Sequence, residues 1–210
     1  MSRILNSEEL VEINATLKDK SPHEIIKWAI NYANNPVVTT NFRPYEVAIL
    51  NAVHSVEPSI KVIWCDTGYN TPNTYKHANQ IIELLDLNIQ LYVPKQTAAH
   101  RDATLGIPQI DDPNHKLFTE QVKLEPFRRA MEEHQPDVWF TNLRKGQTAF
   151  RDSLDIVSKS KDGVLKISPF YYWSDTEMDR YMEHYDLPKN HGHFDVTKAL
   201  ANRECGIHFQ

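Results

Sequence analysis

Lys61-Val62-Ile63-Trp64-Cys65-Asp66-Thr67-Gly68-Tyr69 is the stretch that decides the fold. Its first half is continuously apolar after Lys61 rather than alternating, as expected of a strand in a parallel sheet covered on both faces. Its second half is a strand end rich in polar atoms. Gly68 permits a tight turn, while Asp66 and Thr67 offer hydrogen-bonding groups suited to a ribose or a base. Thr71-Pro72 then opens a helix, so an ordinary cap accounts for part of this segment. Cys65, inside the apolar run, reads as a core residue.

Outward from this strand, short apolar runs alternate with helical patterns. The sequence predicts strands near 37–41, 60–66, 88–93, 137–142 and 164–167. Helices are expected near 44–56, 72–87, 119–134 and 175–185. Two further helix starts open the chain: Asn6 with Glu9 three residues on, and Ser21-Pro22-His23-Glu24, a capping box with proline at the first helical position. Ser174 with Glu177 repeats the capping box. Alternating β and α elements imply an α/β domain with a parallel sheet flanked by helices. Ligands of such sheets sit beyond the carboxyl ends of the strands. Residues 1–186 read as this nucleotide-binding domain and 187–210 as an irregular, mobile tail.

Composition sets the outer limits. At 210 residues, 40% hydrophobic and 24% charged, the chain suits one domain with a real core and an appended tail. No apolar run reaches membrane-spanning length, and Met1-Ser2-Arg3-Ile4-Leu5-Asn6 lacks a secretory signal, so a cytoplasmic protein is expected. Two cysteines, Cys65 and Cys205, make no disulfide framework and cannot supply four thiolates to an iron–sulfur cluster. A net charge of −5 argues against a nucleic-acid binder. A local basic field remains in Lys123, Arg128, Arg129, Arg144, Lys145 and Arg151, enough for an anionic small molecule. Arg128 and Arg129 read as a solvated helix face.

Four segments converge on one rim if the strands lie as predicted. Thr39-Thr40-Asn41-Phe42-Arg43-Pro44 leads from the first strand into a helix, where hydroxyls, amides and a helix N-terminus form an anion site. It lacks the glycines of a Walker loop, and a plain strand-to-helix turn would look much the same. Asp66-Thr67-Gly68-Tyr69 follows the second strand. Lys123-Leu124-Glu125-Pro126 is the third segment. The fourth, Asn142-Leu143-Arg144-Lys145-Gly146-Gln147-Thr148-Ala149-Phe150-Arg151, carries two arginines and a lysine, the residues of choice for phosphate or sulfate.

The tail ends in Arg203-Glu204-Cys205-Gly206-Ile207-His208-Phe209-Gln210. A thiol is nucleophilic as its thiolate, and neighbouring cations lower its pKa. Gly206 gives the backbone freedom, and a segment so near the end of the chain is expected to move. The combination suits a sulfur nucleophile delivered to a substrate and then offered to a partner.

In these motifs, and in their order from about Val37 to His208, the chain resembles the phosphoadenosine-phosphosulfate (PAPS) reductases. The shared features are the modified pyrophosphatase-type loop, the Asp66 segment, Lys123-x-Glu125-Pro126, Arg144-Lys145-x-Gln147, 169–173 and the terminal Cys205 motif. The resemblance implies an adenine-nucleotide α-hydrolase-like fold and a two-step reduction of PAPS to sulfite. Cys205 would form an S-sulfonate with release of adenosine 3′,5′-bisphosphate, and thioredoxin or glutaredoxin would resolve it. It implies nucleotide contacts from Thr39, Thr40, Asn41, Phe42, Asp66, Thr67 and Gly68. Lys123, Arg144, Lys145, Gln147, Arg151, Arg203 and His208 would attend the anionic groups. It also implies a homodimer and no bound cofactor or metal.

The chain departs from the family at several points. The loop is usually serine-rich, Asn142 stands where glycine is usual, Arg144-Lys145 where two arginines are common, and 187–202 is short. Relatives that reduce adenosine phosphosulfate (APS) carry a cysteine pair where this chain has Glu120, Gln121 and Val122, which favours PAPS over cluster-free APS reduction. The rivals are an ATP-pyrophosphatase-type adenylyl transferase, a binding module with a vestigial tail, and a metal site from His191, His193 and His208. Retention of the whole Arg203–His208 string counts against the first two.

Overall fold

A computed structural model of the protein describes residues 5–109, 111–189, 195–197 and 207. Its centre is a six-stranded sheet of order β3-β2-β1-β4-β6-β5. The strands are β1 (Pro36–Thr40), β2 (Lys61–Cys65), β3 (Asn88–Tyr92), β4 (Val138–Phe140), β5 (Val157–Lys159) and β6 (Leu165–Ile167). All neighbours pair parallel except β5, which runs antiparallel to β6 at one edge. The five predicted strands are present; β5 is an addition.

Helices cover both faces, and side-chain direction along the strands divides the core between them. Val38, Val62 and Trp64 pack with α2 (Pro22–Tyr32), α3 (Glu46–His54) and α4 (Pro72–Leu85), joined by Met178 and Met182 of α9 (Asp175–His184). Val37, Ile63, Tyr92 and Trp139 face the other way, against Phe127 and Ala130 of α7 (Glu125–His134). Each β2 residue from Val62 to Trp64 is therefore buried whichever way it points, which is why the strand lacks polar alternation.

The local signals operate as predicted. Asn6 and Glu9 close a capping box on α1 (Ser7–Leu17), as do Ser21 with Glu24 on α2 and Ser174 with Glu177 on α9. Pro72 sits in the first turn of α4 behind the Thr71 cap. The predicted 119–134 helix is longer and composite: α6 (His115–Thr119) runs through a π-helical turn (Glu120–Leu124) into α7. Pro126 explains the wide turn, because a proline in a regular helix has no N–H to donate and clashes with the carbonyl four residues back. Two short helices, α5 (Ala98–Thr104) and α8 (Ala149–Asp152), complete the set. Among the described residues, no helix is long and apolar enough to cross a membrane.

Candidate active site

Strand order fixes where a ligand can bind. β1 lies at the centre, with β2 on one side and β4 on the other, so the connections leaving β1 and β4 diverge and open a crevice at their carboxyl ends. A cavity of about 190 Å³ occupies that place, lined from β1 by Thr39 to Asn41 and from the loop after β4 by Thr141 to Arg144. Gln147, Arg151 and Lys123 also line it. Sequence-predicted residues from three separate segments thus meet in one pocket.

The loop after β1 is built by its own side chains. Thr40 Oγ1 accepts from the Phe42 amide at 3.0 Å and Asn41 Oδ1 from the Arg43 amide at 3.3 Å. Phe42 adopts the left-handed region with φ 53°, a conformation costing a non-glycine residue roughly 1–2 kcal/mol. The twist turns its ring away from the pocket into the core, edge-on to Trp64 at 4.9 Å. The resemblance implies a nucleotide contact from Phe42; its ring is not part of the cavity lining, and it shapes the loop. The same turn brings Arg43, Pro44, Tyr45 and Glu46 to the pocket wall, with the start of α3 facing in.

Four cations line the cavity: Arg43, Lys123, Arg144 and Arg151. Lys123 is presented by the π-helical turn and is only 5% exposed. Arg144 stacks over the Tyr45 ring at 5.0 Å, pairs with Asp175 at 2.6 Å and donates to the Trp173 carbonyl at 3.3 Å. Tyr45 in turn donates to Asp179 at 2.9 Å, which Lys189 also holds at 2.6 Å. Arg151 donates to Gln147 Oε1. Two buried polar atoms of the lining, Asn142 Oδ1 and Arg144 Nε, have no hydrogen-bond partner.

Two acidic groups answer this positive wall. Burial pushes the Glu46 carboxyl up to about 7 against the pull of Arg43 and Arg151. Asp195, from the tail, is pulled the opposite way. Burial opposes its charge, but Lys123, Thr197 and Arg43 outweigh that and hold it well below the ordinary carboxylate range. Its Oδ2 lies 2.5 Å from Lys123 Nζ and 3.0 Å from Arg43 Nη2.

Other predicted residues stand elsewhere. Asp66 caps the end of β2, accepting from the Gly68 amide at 3.0 Å, Asn70 at 2.8 Å and Tyr75 at 3.0 Å. Asp66, Thr67 and Gly68 are thus near the rim but outside the cavity lining. Lys145 is exposed over the Tyr172 ring at 5.6 Å. Cys65, read as core, also lines the pocket, where burial pushes its thiol up to about 12, so it stays protonated. Cys205, Arg203 and His208 lie outside the described residues, as do His191 and His193 of the metal reading. Ile207, two residues beyond Cys205, lines the pocket and packs against the core cluster that includes Phe127 and Ile63. Sequence reading missed Arg43, Tyr45, Glu46 and Asp195. The first three read from sequence as ordinary loop and first-turn residues, and nothing local marks Asp195.

A mostly parallel sheet with a cation-lined pocket at its switch point is an adenine-nucleotide α-hydrolase-like α/β fold whose pocket suits an anionic ligand. Comparison with known proteins narrows this. The phosphoadenosine phosphosulfate reductase domain model matches residues 35–195. A phosphoadenosine 5′-phosphosulfate reductase of Xylella fastidiosa is 33% identical, with 96% of this chain and 94% of the relative aligned. One from Synechococcus is 34% identical over 85% of this chain and 78% of its own. The crystal structure of the Candida auris PAPS reductase in a phosphate complex superposes with TM-score 0.80 and 25% identity, covering 90% of this chain and 92% of that one. The Candida glabrata FMN adenylyltransferase shares the fold alone, at TM-score 0.56 and 8% identity over 85% of this chain and 63% of that one. The chain belongs to the phosphoadenosine phosphosulfate reductase family.

Proposed function

We propose that this protein is a sulfonucleotide reductase that converts PAPS to sulfite and adenosine 3′,5′-bisphosphate through a Cys205 S-sulfonate. The observation that carries the reading is the convergence of Lys123, Arg144, Arg151 and the β1 loop on a pocket that Ile207 also lines. Cys205 precedes Ile207 by two residues, which span at most about 7 Å of extended chain, and this supports delivery of its thiol to that pocket. The tail 187–210 thus works as the carrier of the nucleophile and 1–186 as the nucleotide-binding domain.

The Cys205 thiolate attacks the sulfur of the sulfuryl group. An S–S bond forms, the S–O bond to the 5′-phosphate breaks, and the bisphosphate leaves with that electron pair. A dithiol reductant, thioredoxin or glutaredoxin, then attacks Cys205 Sγ, expelling sulfite and making a mixed disulfide. Its second thiol displaces Cys205, so the dithiol supplies the two electrons. Lys123, Arg144 and Arg151 offset charge on the transferring group and the leaving phosphate, and a pre-placed cation needs little reorganisation as that charge develops. Thr39, Thr40, Asn41 and the start of α3 supply donors to phosphate oxygens. Arg203 and His208, carried by the Cys205 motif, would poise the thiolate and bind the sulfonate. Family membership also supports a homodimer in the reducing cytoplasm.

PAPS is favoured over APS by Glu120, Gln121 and Val122, which stand where cluster-bearing relatives have cysteines. In this fold Glu120 pairs with Arg128, and Gln121 accepts from Arg101 Nε at 3.3 Å. The test is to incubate reduced protein with PAPS, and separately with APS, without any dithiol partner, and to measure intact mass and a peptide map. An 80 Da increment is about one SO₃ group by composition; it is expected on the Cys205 peptide and absent in Cys205→Ser. The nucleotide reacting faster identifies the substrate. Nucleotide binding without any adduct sinks the reductase reading and brings the adenylyl-transferase reading forward.

A further inference from the structure

The tail meets two of the pocket's cations at a second described point, Asp195–Thr197, and the chemistry there is not that of a passive linker. Lys123 and Asp195 have side chains only 6% and 8% exposed. An ammonium buried to that degree needs a counter-anion. No helix neighbour supplies it; the carboxylate comes from 72 residues away, with Lys123 Nζ also donating to Thr197 Oγ1 at 3.2 Å. The same oxygen, Asp195 Oδ2, serves Arg43. Its other oxygen accepts from the Thr197 amide at 3.0 Å and Thr197 Oγ1 at 2.7 Å, which fixes the carboxylate's direction.

We propose that Asp195 is a positioning residue that stands in for the substrate anion: it holds Lys123 and Arg43 and is displaced by the sulfuryl or phosphate group of the sulfonucleotide. The proposal rests on the sulfonucleotide reading for its natural ligand. Both cations line the cavity. A substrate anion drawn to them meets a carboxylate already at 2.5 and 3.0 Å, and two anions cannot share one cation pair without repulsion. Exchange of one anion for the other leaves Lys123 neutralised throughout. It also ends the hold of Lys123 and Arg43 on Asp195 as the anion enters. Arg43 acquires a role with it, as the second cation that selects for an anion at this point.

The test is calorimetric titration of wild type and Asp195→Asn with adenosine 3′,5′-bisphosphate and, separately, with inorganic sulfate. Removing an internal competitor raises the binding-competent fraction, so the Kd for both ligands is expected to fall roughly tenfold. In turnover the change is expected in KM rather than kcat. Weaker or unchanged binding in Asp195→Asn overturns the proposal, because a carboxylate that merely orders the cations would have that effect. Should that variant not fold, wild-type protein labelled with ¹³C-aspartate answers instead, with the Asp195 carboxylate signal identified by its loss in Asp195→Glu. Saturating bisphosphate is expected to return that signal's titration to the range of a free aspartate, about 4; a signal that stays depressed overturns the proposal. Sulfate binding that tightens in the variant, with bisphosphate bound by neither protein, supports displacement while the sulfonucleotide reading falls. Equal bisphosphate binding by both proteins keeps that reading and removes the displacement.

Discussion

Two basic clusters lie within one stretch of chain and have opposite surroundings. Arg128 and Arg129 of α7 point outward, with Arg128 on Glu120 and Arg129 on Glu125 one turn back at 3.0 Å. Lys123, Arg144 and Arg151, only 5–8% exposed, point into the pocket. The outward pair finds its carboxylates on its own helical run, so its charge is spent locally. Arg144 pairs with a distant acid on α9 and Lys123 with one on the tail. Buried cations whose partners come from elsewhere in the chain are the ones a ligand can recruit. Number of charges does not distinguish the clusters; the origin of their counter-charges does.

Lys123→Met attacks the comparison where it is sharpest. It removes the least exposed pocket cation and leaves Asp195 buried without its closest partner. We expect kcat/KM to fall on the order of 10²–10³, the scale seen when one pre-organised charge partner of a transition state is deleted. A loss of less than tenfold in steady-state assays would place Lys123 with Arg128 rather than with the site. Arg144→Lys is a milder cut. A lysine keeps the charge but cannot both stack on Tyr45 and hold the Asp175 and Trp173 oxygens with a planar fork. About a tenfold loss in kcat/KM is expected, with binding of adenosine 3′,5′-bisphosphate weakened to a similar degree in calorimetry.

Glu46 sharpens the contrast from the acidic side. Its carboxyl is raised from 4.5 to about 7 in the folded protein, chiefly by burial. The folded state therefore binds the proton more tightly than the unfolded chain, and stability falls as pH rises through that window. The drop between pH 4.5 and about 7 is on the order of 3 kcal/mol. Glu46→Gln, neutral throughout, is expected to remove this component. Urea midpoints measured from pH 5 to 8 should be flatter in the variant than in wild type; parallel curves would show that Glu46 ionises freely. By contrast, the exposed Glu24 of the α2 capping box, held down to about 2 mainly by Ser21, costs nothing to ionise.

The legible parts of this molecule are those governed by local pattern. The apolar run of Val62–Trp64 announces a doubly covered strand, and the Asn6, Ser21 and Ser174 caps announce their helices. Strand β5 escaped because it is three residues long, with only Val157 buried and no alternation to detect. Helix α5 escaped because its one buried side chain is an arginine, Arg101. In the site, Thr39, Thr40, Asn41, Arg144 and Arg151 are readable as polar residues of strand-end loops, Lys123 and Gln147 come from the family motifs, and all seven line the pocket. Arg43 and Glu46 look from sequence like an ordinary loop residue and an ordinary first-turn acid. They face the pocket only because Phe42 turns the backbone left-handed and hides its own ring. Asp195 pairs across 72 residues, and no period in a sequence encodes a contact of that kind.

The smallest effect is expected at Arg129, and it is the control that gives the larger ones meaning. Its guanidinium holds Glu125 at 3.0 Å one helical turn away, donates to the Val93 carbonyl at 2.8 Å and lies over the Tyr92 ring at 5.5 Å. Yet Glu125 has a second cation, Lys95, at 3.3 Å, so removing Arg129 does not leave a carboxylate alone. Exposed i,i+4 pairs contribute about 0.3–0.5 kcal/mol, the bond to the exposed Val93 carbonyl is one that water replaces, and the contact over the buried Tyr92 ring is on the order of 0.5–1 kcal/mol. Arg129→Ala is therefore expected to shift stability by less than about 1 kcal/mol and kcat/KM by less than about twofold, read by denaturant melts and steady-state rates. A large loss of turnover with stability intact would mean that the field of α7 reaches the pocket. The division between locally spent and recruitable charge would then fail at the residue where it ought to be safest.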